Sequence, residues 1–347
     1  MLKFTGDISL TDGYFDMGFG VGSKLAQGFD PFCHLNRNEN DCWIGNFEGV
    51  ASDVSNKSGV KANQFRVHPD VLKHLHHFDA YGVANNHAMQ HGDEAYRQTF
   101  EVLNEMGSRC FGSNECKSIV LEHQGRQVSL TAFSQRIDAF SERPLYWHNP
   151  ECKDIEGELA NLPAETFKVA FVHWGNEFIN RPSAQQKLFA HFLIDAGFDL
   201  VIGMHSHVLQ GYEDYHGKRI YYSLGNFVFD MAWEPCKYGA IVSVDLSYGQ
   251  PVYKEQYLKI GEDCVPCIVD GKDVPQAWQF TVLNEALKKE DNSEEYHNEI
   301  KAKYKIYRKV NHKRIVFDLI KHPACASAII MDFIKRRFLG NVSSDNK

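Results

Sequence analysis

The chain has 347 residues, of which 43% are hydrophobic and 24% are charged, and its formal net charge is −8 at pH 7. This composition is ordinary for a soluble globular protein and allows a sizeable core, either in one large domain with an appendage or in two domains. The acidic balance argues against a general nucleic-acid-binding protein, which usually presents a basic surface.

The cysteines and the amino-terminal residues indicate the cellular compartment of the protein. Nine cysteines are scattered along the chain, unlike the disulfide framework of a small secreted domain, so we expect most of them to be reduced. The sequence runs from Met1 directly into a predicted strand, without the charged and apolar regions of a signal peptide. No apolar stretch reaches the length that spans a bilayer. These features predict a cytoplasmic protein.

Up to about residue 247, apolar runs alternate with helical patterns. This alternation predicts an α/β sheet with helices on its faces. The last of three predicted helices has a serine N-cap and a glycine directly after its end, which are common helix boundaries. The predicted helices are residues 71–78, 94–106 and 183–196.

Toward the carboxyl terminus the pattern changes. Residues 240–246 alternate with period two, and residues 252–258 follow a Gly-Gln-Pro turn, which predicts an antiparallel pair of strands. Residues 261–272 are irregular, and the chain beyond them is helical and highly charged. We therefore predict a main domain over residues 1–260 and a mainly helical extension over residues 261–347 with a disordered tail.

Six apolar runs of strand length end abruptly in polar residues of types that bind metals. In open α/β sheets, ligand sites lie beyond the carboxyl ends of the strands, so these residues can converge on one point. The combination of Asp, Glu, Asn and His suits a metal centre. The six runs are residues 2–7, 42–48, 81–87, 169–175, 199–207 and 220–227.

Some of these polar residues are more informative than others. His205 and His207 are two residues apart, so both imidazoles can reach one site or two adjacent metals. For this pair alone, surface histidines placed by chance are an equal alternative. Asp7 and Glu48 are weak indications singly, because such an Asp is often a cap or turn residue. Asn86 and the residues His87 and His173 are stronger, since polar groups that end an apolar strand cost free energy to bury.

Taken together, these side chains offer mixed nitrogen and oxygen donors. Such a set suits Mn, Zn, Fe or Co better than a site built from thiolates. A bridging carboxylate can hold two metals roughly 3.5–4 Å apart, and such pairs activate water for in-line attack on phosphorus.

The order and type of the motifs resemble the CapA (poly-gamma-glutamate biosynthesis) family, a branch of the calcineurin-like metallophosphoesterase superfamily. The resemblance extends from the first residues to about Asp230 and implies a four-layer α/β/β/α metallophosphoesterase-like sandwich, followed here by the C-terminal helical extension. The motifs that support it are residues 6–10, 46–48, 84–87, 173–178, 203–210 and 222–230.

The resemblance also implies a set of metal ligands. The implied cofactor is one or two divalent ions, with Mn expected and Zn, Fe or Mg as alternatives. The implied ligands are Asp7 and His207 for one metal, Asn86, His173 and His205 for the other, and Glu48 as the bridge between them.

Two further residues receive catalytic roles from the resemblance. His87 would stand near the leaving group as a general acid, or stabilise charge on the phosphorus oxygens. Asn226 would line the pocket or support the ligands.

The chain departs from the metallophosphoesterase pattern at three positions. Ser9 stands where those enzymes have a histidine, which leaves the Asp7 side short of a ligand. Gln90 stands where the family tends to have Asp, and an amide cannot raise the pKa of His87 as a carboxylate would. Ser206 replaces the usual proline between the late histidines, a change that affects loop rigidity more than ligation.

Two functions are compatible with these motifs. The first is a metal-dependent hydrolase of phosphoester type that acts on a surface polymer or its precursor in capsule or exopolysaccharide biosynthesis. The second is a non-catalytic accessory protein of the same pathway with a degenerate metal site. The retained ligand set favours catalysis, whereas Ser9 and Gln90 favour the accessory role. The sequence leaves the oligomeric state undetermined.

Two features lie outside the resemblance. Residues 315–339 have apolar side chains at near-helical spacing with Lys335, Arg336 and Arg337 at their end, and Pro323 predicts two helices rather than one. This face would make a peripheral contact with the inner side of an anionic membrane, or alternatively pack on the main domain or a second subunit. The pair formed by Cys264 and Cys267 has metal-ligand or redox spacing, but an isolated pair of this kind is more often without function.

Overall fold

The computed structural model describes residues 1–35, 37–75, 78–288 and 293–338. This part of the chain contains sixteen β-strands and seven α-helices. The strands are β1 (Leu2–Ile8), β2 (Cys42–Phe47), β3 (Val50–Ala51), β4 (Arg66–Val67), β5 (Ala80–Gly82), β6 (Arg109–Phe111), β7 (Ser118–His123), β8 (Arg126–Ser134), β9 (Phe167–His173), β10 (Leu200–Met204), β11 (Tyr212–Tyr215), β12 (Lys218–Tyr221), β13 (Asn226–Val228), β14 (Tyr238–Asp245), β15 (Val252–Ile260) and β16 (Pro266–Ile268). The helices are α1 (Val21–Leu25), α2 (Asp93–Glu105), α3 (Cys152–Asn161), α4 (Ala184–Ala196), α5 (Phe280–Leu287), α6 (Ser293–Lys321) and α7 (Pro323–Phe338).

Two mixed sheets form the centre of the fold. The first has the order β16-β15-β14-β1-β2-β5-β6, with β13 pairing with β1 beside this path. The second has the order β11-β12-β10-β9-β8-β7. Within each sheet the central strands are parallel, namely β1, β2, β5 and β6 in the first and β8, β9, β10 and β12 in the second. Parallel strands end at the same edge, so the chemistry-bearing residues that follow them are brought together.

The two sheets pack face to face with helices outside them. Phe4 of the first sheet lies with its ring 6.4 Å from that of Phe171 of the second, in a core shared by both sheets. On the outer face of the second sheet, Val172 and Val201 pack with Leu193 of α4. Helix α2 lies against the first sheet. The α/β fold of four layers that the resemblance implies is confirmed.

Most of the predicted helices and strands are confirmed, and one predicted helix is wrong. Helices α2 and α4 are confirmed, and Ser183 caps α4 by accepting a hydrogen bond from the backbone N–H of Gln186. The antiparallel pair is confirmed as β14 and β15. The helix predicted at residues 71–78 is wrong over residues 71–75, where a single 3₁₀ turn at Pro69–Leu72 is followed by irregular chain; residues 76 and 77 lie outside the described residues. The apolar side chains at this spacing, Leu72, Leu75 and Phe78, are all buried. The pattern therefore indicates burial and not a helix.

The carboxyl-terminal part extends the first sheet and then becomes helical. Strand β16 pairs with β15, and α6 and α7 are separated at Pro323 as expected. None of the helices in the described ranges is long and apolar enough to cross a membrane. The division of the chain after residue 260 stays a prediction, and the tail beyond residue 338 lies outside the described residues.

One close approach shows how tightly the site-bearing strands are joined. The backbone of Gly6 in β1 passes so near to Gly225 that an added Cβ would lie 1.8 Å from the carbonyl oxygen of Gly225. Directly after this crossing, the Asp7 backbone N–H donates to the same carbonyl at 3.0 Å. A glycine is therefore required immediately before Asp7.

Candidate metal centre

Residues at or after the ends of five strands meet the first residue of a sixth strand at one point between the sheets. The first sheet supplies Asp7, at the end of β1, and Glu48, directly after β2. The loop after β5 supplies Asn86, and β9 ends at His173. The remaining predicted residues are His87 after β5, His205 and His207 after β10, and Asn226 at the start of β13. The structure brings all eight predicted site residues together.

Asp7 lies at the middle of the group and is fully buried. Asn46 donates from Nδ2 to Asp7 Oδ1 at 2.8 Å, and the His205 backbone N–H donates to Oδ2 at 3.0 Å. The nearest ring nitrogens of His173 and His207 lie 3.8 and 3.6 Å from its carboxylate. Asp7 is thus held in place by two donors while facing histidines from the other sheet.

Three of the predicted ligands contact one another directly. The Nε2 atom of His173 lies 2.7 Å from Oδ1 of Asn86 and 3.0 Å from Nδ1 of His205. They come from β9, from the loop after β5 and from the loop after β10. These are the three residues that the resemblance groups around one metal.

His207 lies on the other side of Asp7. Its Nδ1 atom is 2.9 Å from Oδ1 of Asn226, and its Nε2 atom is 3.7 Å from Oε1 of Glu48. Because Asn226 fixes one ring nitrogen, the other is directed at the carboxylate. His205 and His207 both have positive φ, of 89° and 56°, a strained conformation for residues other than glycine that concentrates at functional sites.

The two carboxylate oxygens of Glu48 give the strongest indication of a metal site. The residue is fully buried, and neither oxygen has a hydrogen-bond partner among the described residues. The Nε2 atom of His205 is likewise buried and unpartnered within the described ranges. Buried polar atoms are normally satisfied, so these unpartnered atoms of Glu48 and His205 fit the binding of a cation. The donors are carboxylates, imidazoles and an amide oxygen, which suit a divalent metal.

Burial shifts the pKa of the candidate ligands, both the carboxylates and the imidazoles. Burial raises the pKa of Asp7 to about 7. Burial, and then the neighbouring charge of Asp7, raise the pKa of Glu48 well above its usual range. Burial lowers the pKa of His173 and His205 well below the usual value and that of His207 to about 4, so the imidazoles are neutral and able to ligate.

His87 is oriented by the residue that departs from the family pattern. Gln90 donates from Nε2 to the Gln64 carbonyl at 3.2 Å, so its amide oxygen faces His87 Nδ1 at 2.8 Å. His87 therefore donates from Nδ1 and turns Nε2 to Glu48 Oε1, 3.8 Å away. Its ring stacks on Phe65 with centroids 3.7 Å apart. Burial lowers the pKa of His87 to about 4.

The other two departures have structural substitutes. Ser9 forms a hydrogen bond of 2.8 Å with the Thr11 hydroxyl and supplies no nitrogen ligand. Ser206 donates to the Val208 carbonyl at 2.8 Å, and its oxygen shares a second hydrogen bond of 2.9 Å with the Ser223 hydroxyl. These bonds fix the loop between the two late histidines without a proline.

A cavity of about 220 Å³ opens beside these residues. Its lining includes His87 and His207 together with Tyr304 and Tyr307 of α6. Glu177 also lines it, and its carboxylate lies within 4.8 Å of ring nitrogens of His205 and His207. The cavity thus combines candidate ligands with aromatic walls.

Sequence reasoning missed several of these residues. Asn46 and Glu177 lie inside motifs that support the resemblance, so their motif positions were the available signal. Tyr304 and Tyr307 had no such signal, because even Asn226, the site residue nearest to them in sequence, lies 78 residues before Tyr304. Cys264 and Cys267, considered as a ligand pair, are free thiols, and Cys264 accepts a hydrogen bond from Lys24 Nζ at 3.1 Å.

Comparison with known proteins gives a family match over most of the main domain. A family model described as bacterial capsule synthesis protein PGA_cap matches residues 1–231. Capsule biosynthesis protein CapA of Bacillus anthracis is 32% identical over 190 residues, which cover 49% of this chain and 44% of that protein. PGA biosynthesis protein CapA of Bacillus subtilis (strain 168) is 30% identical over 222 residues, which cover 59% of this chain and 58% of that protein. The chain thus spans about half the length of these curated relatives.

Among solved structures, a putative 5′-nucleotidase from Staphylococcus aureus aligns with a TM-score of 0.45 at 11% identity, covering 82% of this chain and 57% of that one.

Proposed function

The chain belongs to the bacterial capsule synthesis protein family PGA_cap, and from this premise we propose that it is a metal-dependent hydrolase of phosphoester type. Its substrate would be a surface polymer, or a precursor of one, in capsule or poly-gamma-glutamate biosynthesis. The single observation that supports a metal centre most strongly is Glu48, a buried carboxylate whose two oxygens have no hydrogen-bond partner among the described residues.

The proposed ligands divide around Glu48. As the resemblance implies, Asp7 and His207 would hold one ion, and Asn86, His173 and His205 the other. Glu177 is a further candidate beside the two late histidines. One or two divalent ions, with Mn preferred over Zn, Fe or Mg, would supply Lewis-acid chemistry that polarises a phosphoryl oxygen and activates water.

The chain's own residues then position and protonate the substrate. Gln90 holds the proton of His87 on Nδ1, which leaves Nε2 to exchange protons with a group in the cavity. Because burial keeps the imidazole neutral, we propose that Nε2 first takes a proton from solvent in the cavity and then delivers that proton to the leaving oxygen as its bond to phosphorus breaks. Phe65, stacked on the ring, prevents it from turning away.

Asn226 acts on the site through His207. Its Oδ1 accepts from His207 Nδ1, and its Nδ2 donates to the Cys236 carbonyl at 3.0 Å. This second bond fixes the orientation of the amide, and therefore the tautomer of His207. We assign Asn226 a positioning role.

Metal binding is the first test. Purified protein loaded with Mn should retain the ion through gel filtration, and the double variant His205→Ala with His207→Ala should lose it by elemental analysis. His216→Ala is the matched control, because His216 is exposed and lies outside the site. Unchanged metal content in the double variant would refute the centre.

Hydrolysis is the second test. Mn-loaded protein should cleave a generic aryl phosphodiester or monoester, and His87→Ala should lower the turnover number by about 10²- to 10⁴-fold while leaving the metal content unchanged. Metal bound without turnover across a broad panel of phosphoesters and glutamyl peptides would favour the non-catalytic accessory role instead.

A further inference from the structure

Helix α6 presents one face to solvent that is unusual for this acidic chain. Residues 300–317 contain seven lysines and arginines and no acidic residue. Lys305, Lys309 and Lys313 follow one another at intervals of four residues, so they lie along one side of the helix, and all three are exposed. None of the three forms an ion pair within the described ranges, and like charges at this spacing destabilise a helix. The stripe is therefore costly unless an anion covers it.

The same side of α6 becomes apolar toward its end. Val316 and Ile320 continue the spacing of the lysines and are 61% and 75% exposed, and Phe317 beside them is 58% exposed. Helix α7, which follows directly, exposes further large apolar side chains at Ile330 and Met331. We call the exposed residues Lys305, Lys309, Lys313, Val316, Phe317 and Ile320 the α6 outer face.

The opposite side of α6 is fixed to the main domain. Tyr307 is buried, and its ring stacks on Phe178 with centroids 3.9 Å apart. Arg314 forms an ion pair with Asp230 in a bidentate arrangement. Because these contacts hold the inner side, the outer face keeps a defined direction rather than belonging to a loose helix.

We propose that the α6 outer face docks the protein on an anionic lipid bilayer. The cations match the charge of the head groups, and the apolar end matches the boundary of the acyl chains. A soluble polyanion would use the lysines but leave the apolar residues uncovered. A second copy related by twofold symmetry would place this lysine stripe against a patch of like charge. A bilayer satisfies both parts of the face at once.

Docking through the α6 outer face would also fix the position of the cavity relative to the bilayer. Tyr304, which lines it, directly precedes Lys305 on the same helix. Tyr304 also borders a surface groove lined by Lys305 and Lys309, so docking would bring the Tyr304 edge of the cavity toward the lipid surface, where a membrane-attached substrate is concentrated. The docking itself does not depend on the proposed hydrolysis.

Flotation of the full-length protein with vesicles tests the proposal. The protein should float with vesicles that contain phosphatidylglycerol but not with phosphatidylcholine alone, and added salt should weaken the binding. The triple variant Lys305→Glu, Lys309→Glu, Lys313→Glu and the double variant Val316→Ser, Ile320→Ser should each reduce partitioning at least about tenfold. Lys153→Glu and Leu188→Ser are matched controls, because both side chains are exposed on other helices.

Each contrary result has a definite meaning. Absence of flotation with anionic vesicles, or flotation unchanged in both variants, would overturn the proposal. Self-association that is lost in the Val316→Ser, Ile320→Ser variant, measured by light scattering, would assign the face to a second copy instead. Circular dichroism and metal content verify that the variants are folded. Failure of hydrolysis with flotation intact would affect only the proposed function.

Discussion

The side chain of Glu48 decides how the folded protein behaves without metal. Its carboxylate is buried beside Asp7, with no hydrogen-bond partner for either oxygen among the described residues. Such a group destabilises the fold unless a cation compensates it. The same residue that would bind a metal should therefore weaken the metal-free protein.

Replacing Glu48 by glutamine should separate its effect on the stability of the metal-free protein from its effect on metal binding. In a chelating buffer at alkaline pH, where both buried carboxyls have lost their protons, Glu48→Gln should raise the free energy of unfolding by about 1–3 kcal/mol, because it removes one of two neighbouring buried charges and offers a donor to Asp7. With Mn present the order should reverse, since the variant loses a ligand. Denaturant unfolding with and without metal measures both. A variant that is less stable than the unaltered chain in the chelating buffer would contradict the assignment.

At the scale of elements, sequence patterns were informative wherever local physics decides the structure. The N-cap Ser183 located the start of α4, and the period of two identified β14 and β15. The apolar strand ends predicted residues that the structure brings together, because parallel strands finish at one edge; their role as ligands stays a prediction. The pattern failed at residues 71–75, where Leu72 and Leu75 are buried by a 3₁₀ turn and the irregular chain that follows it.

The contribution of α6 to the cavity could not be predicted from local sequence patterns. Tyr304 and Tyr307 reach the site only because α6 packs back on the main domain. That packing depends on pairs distant in sequence, such as the stack of Tyr307 on Phe178 and the ion pair of Arg314 with Asp230. Local periodicity holds no information about such partners.

The ion pair of Arg314 gives a test of how α6 is attached. Arg314→Met should destabilise the docked helix by about 1–3 kcal/mol, less than for a fully buried pair because the guanidinium is partly exposed. The buried carboxylate of Asp230 would be left without this partner. Trypsin should then cleave within α6 faster than in the unaltered chain, as followed by mass spectrometry.

Lys313→Met is the matched control for this experiment. It neutralises the neighbouring cation, which faces solvent and forms no ion pair in the part of the chain that the structure describes. Cleavage that is equally fast in both variants would show that Arg314 does not anchor the helix.

At the scale of the whole molecule, the candidate centre joins the two sheets. Asp7 and Glu48 belong to the first sheet, and His173 and His205 to the second. A metal bound by both sets would resist separation of the sheets, whereas a metal bound by one set would stabilise that sheet alone. The geometry predicts the former, because the Asp7 carboxylate accepts from the His205 backbone across the interface.

Hydrogen exchange can distinguish the two cases. Saturation with Mn at a hundred times its dissociation constant should stabilise the folded state by about 2.7 kcal/mol, and exchange by global opening should slow accordingly. Amides of β2 and β10 should gain protection together, because separating the sheets would break the centre. The His205→Ala, His207→Ala variant should show no such gain. Protection confined to one of the two strands would mean that the metal is held by one sheet, and that the centre does not join the halves of the fold.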